Sequence, residues 1–111
     1  MEITSHQLKH CDLVQVTGHV DNHTAPQLAQ AFEAIHKAGR FKIVFDMSGV
    51  DFISSAGLRV ILNAQKACKK WNRGEVVLAG LSPQTHRALS VAGFISLFRF
   101  FDAVEMAVGS F

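Results

Sequence analysis

Three serines, two glycines and two aspartates fall in the stretch from Phe45 to Leu58, which reads Phe-Asp-Met-Ser-Gly-Val-Asp-Phe-Ile-Ser-Ser-Ala-Gly-Leu. Its chemistry is that of hydroxyls and carboxylates. Ser54 and Ser55 stand where a helix should begin, ahead of the small pair Ala56-Gly57. Either hydroxyl can cap that helix by accepting a backbone N–H. A helix start also presents free N–H groups and a partial positive charge that favours an anion. No activating group accompanies these hydroxyls: the sequence has no Gly-rich phosphate loop, nucleophile elbow or His/Cys pairing. The six histidines, His6, His10, His19, His23, His36 and His86, are scattered without ligand spacing, which reads as surface positions and not as a metal site. Asp46 reads as a loop-organising carboxylate at a strand end.

The elements that must position these groups follow from periodicity. Phe41 to about residue 46 is apolar, β-branched and aromatic, and suits a buried strand that ends in a short loop. Residues 2–9 alternate loosely as an edge strand, and Leu13-Val14-Gln15-Val16 is a second strand ended by Thr17-Gly18. His10-Cys11-Asp12 is the expected turn between them. Thr24 is placed as the N-cap of a first helix with Pro26 in its first turn, and Leu28, Ala31, Phe32 and Ile35 have the spacing of its buried face. The clearest helix runs from about 55 to 72. Leu58, Ile61, Leu62, Ala64, Cys68 and Trp71 are expected to face the sheet. Arg59, Asn63, Lys66, Lys70 and Arg73 form a polar, mostly basic stripe, with Gly74 as the stop. Glu75–Ala79 reads as a strand, and Ser82-Pro83 is a specific helix start. That helix has Ala88, Leu89, Val91 and Ala92 on its apolar face and Gly93 as its stop. Phe98–Phe101 is the last strand, and Asp102 is expected to cap a short final helix through Ala107. Helices between the later strands demand parallel pairing and right-handed crossovers. An α/β fold follows, with a mixed sheet of about five strands and about four helices packed on one side.

With 111 residues and 49% hydrophobic content, the chain is sized for one compact domain and is not of disordered composition. A net charge of +2 gives no overall argument for nucleic acid. The phenylalanines at 94, 98, 100 and 101 lack the basic interleaving of a single-strand binder and read as core. Cys11 and Cys68 lack metal spacing and read as free thiols in a reducing compartment. The absence of a 20-residue apolar run and of a basic, apolar leader points to a cytoplasmic protein.

The stretch around Ser55 also resembles the signature of the STAS domain, the family of bacterial anti-sigma factor antagonists. Asp46-Met47-Ser48 and Phe52-Ile53-Ser54-Ser55-Ala56-Gly57-Leu58 carry the likeness. Gly18-His19-Val20-Asp21, Leu81-Ser82-Pro83 and Val91-Ala92-Gly93-Phe94 extend it over nearly the whole of residues 1–111, in order. The resemblance implies a non-enzymatic partner switch without cofactor, metal or nucleic acid. The unmodified form would bind an anti-sigma factor that is also a serine kinase of the GHKL type and so release the sigma factor. Phosphorylation of Ser55, with Ser54 as the alternative acceptor, would block binding, and a PP2C-type phosphatase would restore it. The partner surface it implies comprises Asp21, Ser54, Ser55, Ala56, Gly57 and Arg59. Gly57 would let a partner's backbone come close. Asp21 would aid kinase docking or nucleotide contact, or else hold the loop before the first helix. Many members carry aspartate at the place of Ser54 and serine at that of Ala56. A monomer or weak dimer is expected. Two other readings stand beside the switch: a constitutive STAS module of a signalling or lipid-transport assembly, and a small ligand-binding α/β domain.

Overall fold

A computed structural model describes residues 1–111. Five strands form one sheet in the order in which they occur: β1 (Glu2–Gln7), β2 (Asp12–Val20), β3 (Lys42–Ile53), β4 (Glu75–Ala79) and β5 (Phe100–Phe101). β1 and β2 are antiparallel, and each later pair is parallel. The helices are α1 (Ala25–Lys37), α2 (Ser55–Lys69), α3 (Pro83–Val91) and α4 (Val104–Gly109). The mixed five-strand sheet with four helices is the architecture expected from the sequence.

Strand alternation decides which face each helix covers. Ile43, Phe45 and Met47 of β3 and Val76 and Leu78 of β4 join the main core with Leu28 and Phe32 of α1, Ile61 of α2 and Leu89 of α3. Val44, Val77 and Ala79, one residue out of phase, pack instead with Cys11 and with Ala107 of α4. Three helices therefore share one face, and α4 covers the other, where all four were expected on one side. The reason is connectivity. α1, α2 and α3 each link neighbouring parallel strands in the same direction, and right-handed crossovers place such helices on one face. α4 follows the last strand and carries no such constraint.

Several local expectations shift. β3 does not end at 46 in a loop. It runs on through Ile53, pairing Thr17 with Gly49, Gly18 with Val50, and Val20 with Ile53 across two register shifts. Only Ser54 separates strand from helix. The first turn spans Leu8 to Cys11, closed by the Leu8 N–H on the Cys11 carbonyl at 2.8 Å. Asp12 already belongs to β2 and is buried, ion-paired at 2.9 Å with Arg40 just beyond α1. α2 stops at Lys69 and gives way to a 3₁₀ turn at Lys70–Asn72, where Trp71 and Asn72 take left-handed backbone (φ 63° and 56°). Trp71 is 81% exposed and so is not a core residue, and Leu62 is only half-buried. Val91 and Ala92 of the third helical segment are exposed, leaving Leu89 as its core anchor. Ala103, not Asp102, occupies the N-cap position of α4. No helix is long and apolar enough to cross a membrane.

Candidate functional site

The carboxyl ends of β2 and β3 and the first turns of α1 and α2 meet at one edge of the sheet. The Ser54 N–H bonds the Val20 carbonyl at 2.8 Å, tying the start of α2 to the end of β2. The Ser54 backbone is extended, and its Oγ accepts the Gly57 N–H at 3.3 Å. Ser54 is therefore the cap, half-buried and already engaged. Ser55 is the first residue of α2 and is exposed. Ala56 beside it is half-buried, and Arg59 lies one turn on, exposed.

Gly57 has a different role from the one expected of it. It is buried, and a Cβ there would lie 2.7 Å from Val20 Cγ1 and 2.8 Å from Ile53 Cγ1. The missing side chain lets α2 close onto the ends of β2 and β3, and leaves no room for a partner's backbone at that point.

Asp21 organises the entry to α1. Its Oδ1 accepts the N–H groups of His23 (2.9 Å) and Thr24 (3.1 Å), and these bonds hold its carboxyl below the usual aspartate value. Thr24 occupies the N-cap position without a side-chain cap bond. Its hydroxyl accepts the Asp21 N–H at 2.8 Å and lies 3.0 Å from the His19 carbonyl. The loop-holding role of Asp21 thus rests on three groups, the His23 and Thr24 N–H groups on its Oδ1 and the Thr24 hydroxyl on its own N–H.

Asp46 lies within β3, opposite Gln15 of β2 and 6% exposed. Burial pushes its carboxyl up, but the Gln15 amide at 2.9 Å and the Ser48 N–H at 3.0 Å outweigh that and hold it below the ordinary value. Its side chain alternates away from the main core, so it braces the strand pair and is not part of the Ser55 edge.

Three residues at this edge were not singled out by sequence. Phe52 is 49% exposed, the His19 ring lies 6.1 Å from it, and His19 Nδ1 is 3.5 Å from Asp51 Oδ1. Reading β3 on to Ile53 would have revealed Phe52, because alternation about the buried Ile53 turns it outward. No three His, Cys, Asp or Glu side chains lie close enough together to hold a metal ion. Chemically, the edge offers one free hydroxyl at a helix N-terminus, an exposed aromatic ring and a flanking arginine.

Known proteins share the sequence pattern and the fold. Residues 2–107 match the family model described as STAS domain. BtrV of Bordetella bronchiseptica, named as a candidate anti-sigma factor antagonist, is 32% identical over 111 residues, covering 100% of this chain and 95% of that protein. An anti-sigma F factor antagonist of Paenibacillus polymyxa is 30% identical over 91 residues, covering 81% of this chain and 77% of the relative. Among solved structures, an anti-sigma factor antagonist from Mycobacterium paratuberculosis superposes with a TM-score of 0.88 at 24% identity, covering 98% of this chain and 92% of that one. The Bacillus cell fate determinant SpoIIAA in its phosphorylated form superposes with a TM-score of 0.78 at 14% identity, covering 98% of each chain.

Proposed function

Because the chain belongs to the STAS family, we propose that it is an anti-sigma factor antagonist controlled by phosphorylation of Ser55. Its unmodified form docks on an anti-sigma factor that is also a GHKL-type serine kinase, and the sigma factor is released. Phosphate on Ser55 blocks docking, and a PP2C-type phosphatase restores it. The chain supplies the acceptor hydroxyl, and the catalytic groups belong to the partner.

The observation that carries this reading is the division of labour between two adjacent serines. Ser54 is half-buried and spent on the cap, whereas Ser55 is exposed at the first position of α2. A phosphate there adds about −1.5 to −2 charges at pH 7. The N-terminus of α2 accepts that charge within the free fold. Against a docked partner it brings a desolvation cost and a steric clash. That a related fold has been solved in a phosphorylated form supports a switch that alters a surface without refolding. Arg59 lies one turn beyond the acceptor and Phe52 is exposed three residues before it, and we assign both to the docking surface together with Ser55 and the exposed part of Ala56. Asp21 supports this surface indirectly, by fixing the loop between β2 and α1.

The test is phosphosite mapping after incubation with the cognate kinase and ATP, alongside titration of Ser55→Ala and Ser55→Asp against the anti-sigma partner. Phosphate on Ser55, tight binding by Ser55→Ala and weak binding by Ser55→Asp are expected. Phosphate confined to Ser54, or Ser55→Asp binding as tightly as wild type, overturns the proposal.

A further inference from the structure

The far end of α2 carries a second surface. α2 runs from Ser55 to Lys69, so its two ends lie about 22 Å apart at 1.5 Å per residue. Beyond Lys69 the chain turns through left-handed Trp71 and Asn72, and the indole of Trp71 is 81% exposed. A left-handed backbone at a bulky residue is unfavourable and persists only where its surroundings impose it. Here Arg73 imposes it. Its guanidinium bonds the carbonyls of Ala67 (2.7 Å) and Lys70 (3.1 Å) at the end of α2 and lies 3.7 Å from the Phe41 ring centroid. The turn is thereby locked with the tryptophan held outward.

Charge is concentrated around that turn. Two clefts that share Lys42 open beside it, one lined by Lys9, Arg40 and Arg73, the other by Lys69 and Arg99. Lys70 Nζ is 6.0 Å from the Trp71 ring. The only side-chain carboxylates in these clefts, Asp12 and Glu75, are ion-paired to Arg40 and Arg99. Lys9, Lys42, Lys69, Lys70 and Arg73 are all exposed, and none has a carboxylate partner. This pole thus holds seven of the chain's eleven Lys and Arg residues but two of its nine Asp and Glu residues. The modest net charge of +2 conceals a strongly basic pole on an otherwise acidic molecule.

We infer that this pole docks on an anionic phospholipid surface, with Trp71 entering the headgroup layer and the lysines around it. The form of the patch selects the partner. Indole is an amphipathic ring that settles at membrane interfaces, and clusters of Lys and Arg are drawn to anionic lipid at about fivefold in affinity for each charge. Four of the five cations without a carboxylate partner are lysines, a residue depleted from protein–protein interfaces but suited to lipid by its flexible stem. A single-stranded nucleic acid needs several aromatic platforms along a groove. Here Phe41 is covered by Arg73 and stacked on His36, and Phe111 is half-buried with Arg99 5.8 Å from its ring, which leaves Trp71 as the one mainly exposed ring of the pole. Because Ser55 lies at the opposite end of α2, the molecule can hold a membrane and a protein partner at once.

The chain has one tryptophan and no tyrosine, so tryptophan emission reports Trp71 alone. The purified protein is titrated with phosphatidylcholine vesicles, with or without phosphatidylserine, and followed by emission and co-sedimentation. A blue shift and sedimentation with the phosphatidylserine vesicles only, reversed by high salt, are expected. Lys69→Gln with Lys70→Gln should weaken sedimentation on the order of 30-fold. Trp71→Ala, with an unchanged circular dichroism spectrum, should lose it. Unshifted emission with all protein in the supernatant overturns the inference, as does equal binding to neutral vesicles. A response to single-stranded oligonucleotide or polyglutamate without one to vesicles reassigns the pole to a macromolecular partner and equally overturns it.

Discussion

His36 Nε2 lies 3.3 Å from Cys68 Sγ, joining α1 to α2 at the rim of the main core. Burial pushes the Cys68 thiol up to about 12, so the sulfur stays protonated and faces a neutral imidazole. Burial, aided by the charge of Arg73, holds His36 below its ordinary value of 6.5. The unfolded chain therefore takes up this proton before the folded one does. Stability from His36 is complete above about pH 6.5 and is lost as pH falls from there toward the lower folded value. Urea midpoints should decline between about pH 7 and about pH 5, and the decline should be shallower in His36→Gln. Identical slopes for the two proteins would remove His36 from the account.

Adjacent residues of α2 should respond differently to truncation. Ile61 is fully buried against the sheet, whereas Leu62 is half-buried. Ile61→Ala should cost about 2 to 5 kcal/mol, from lost burial and the cavity left behind. Leu62→Ala should cost about 1 kcal/mol, since much of its side chain already meets water. Denaturant titrations of both variants would settle the phase of the helix, and a larger loss at Leu62 would show that α2 is rotated from the orientation described.

Gln65 is the polar exception on the buried face. It is 4% exposed, its amide donates to the carbonyls of Val76 (3.1 Å) and Leu97 (2.8 Å), and its oxygen accepts the Val76 N–H at 2.6 Å. β5 pairs with β4 only at Leu78 and Ala79, and Gln65 supplies partners for the backbone of Val76. Gln65→Leu keeps the volume but orphans these groups, at about 1 to 3 kcal/mol each for those left buried. A total loss of about 2 to 5 kcal/mol is expected by thermal or urea unfolding. A neutral or stabilised Gln65→Leu would mean that the backbone groups find other partners.

These cases show what was legible in the sequence and what was not. Local chemistry was legible: Ser82 accepts the Thr85 N–H at 3.2 Å ahead of Pro83, as its type and place demand. The Ser54-Ser55-Ala56-Gly57 helix start and the hydrophobic period of α1 were legible for the same reason. Long-range pairing was not. Ser48-Gly49-Val50-Asp51 has the composition of a loop, yet β2 draws it into the sheet. At Gly49 a Cβ would come within 2.5 Å of Thr17 Cγ2, so the glycine serves strand contact and not a turn. Gln65 was passed over because its partners lie 11 and 32 residues away. Trp71 fitted the apolar spacing of α2 until Arg73, bonding the last carbonyls, ended the helix before it. At the candidate site, Phe52 was hidden by the same misplaced end of β3.

Stability can also separate the two serines without any partner present. The Ser54 hydroxyl satisfies the Gly57 N–H, one of the unpaired donors at the start of α2. Ser54→Ala should therefore cost about 1 kcal/mol, the usual loss for a serine cap. Ser55 is exposed at the first helical position, where alanine is a good helix former, so Ser55→Ala should lie within about 0.5 kcal/mol of wild type. The double variant should equal Ser54→Ala within error, because only one hydroxyl is structural. Urea titrations of the three variants give this comparison directly. If Ser55→Ala lost as much as Ser54→Ala, the hydroxyl free for a kinase would no longer be the one at Ser55. The acceptor would then have to be sought at Ser54, where phosphate would break the cap that holds the helix start.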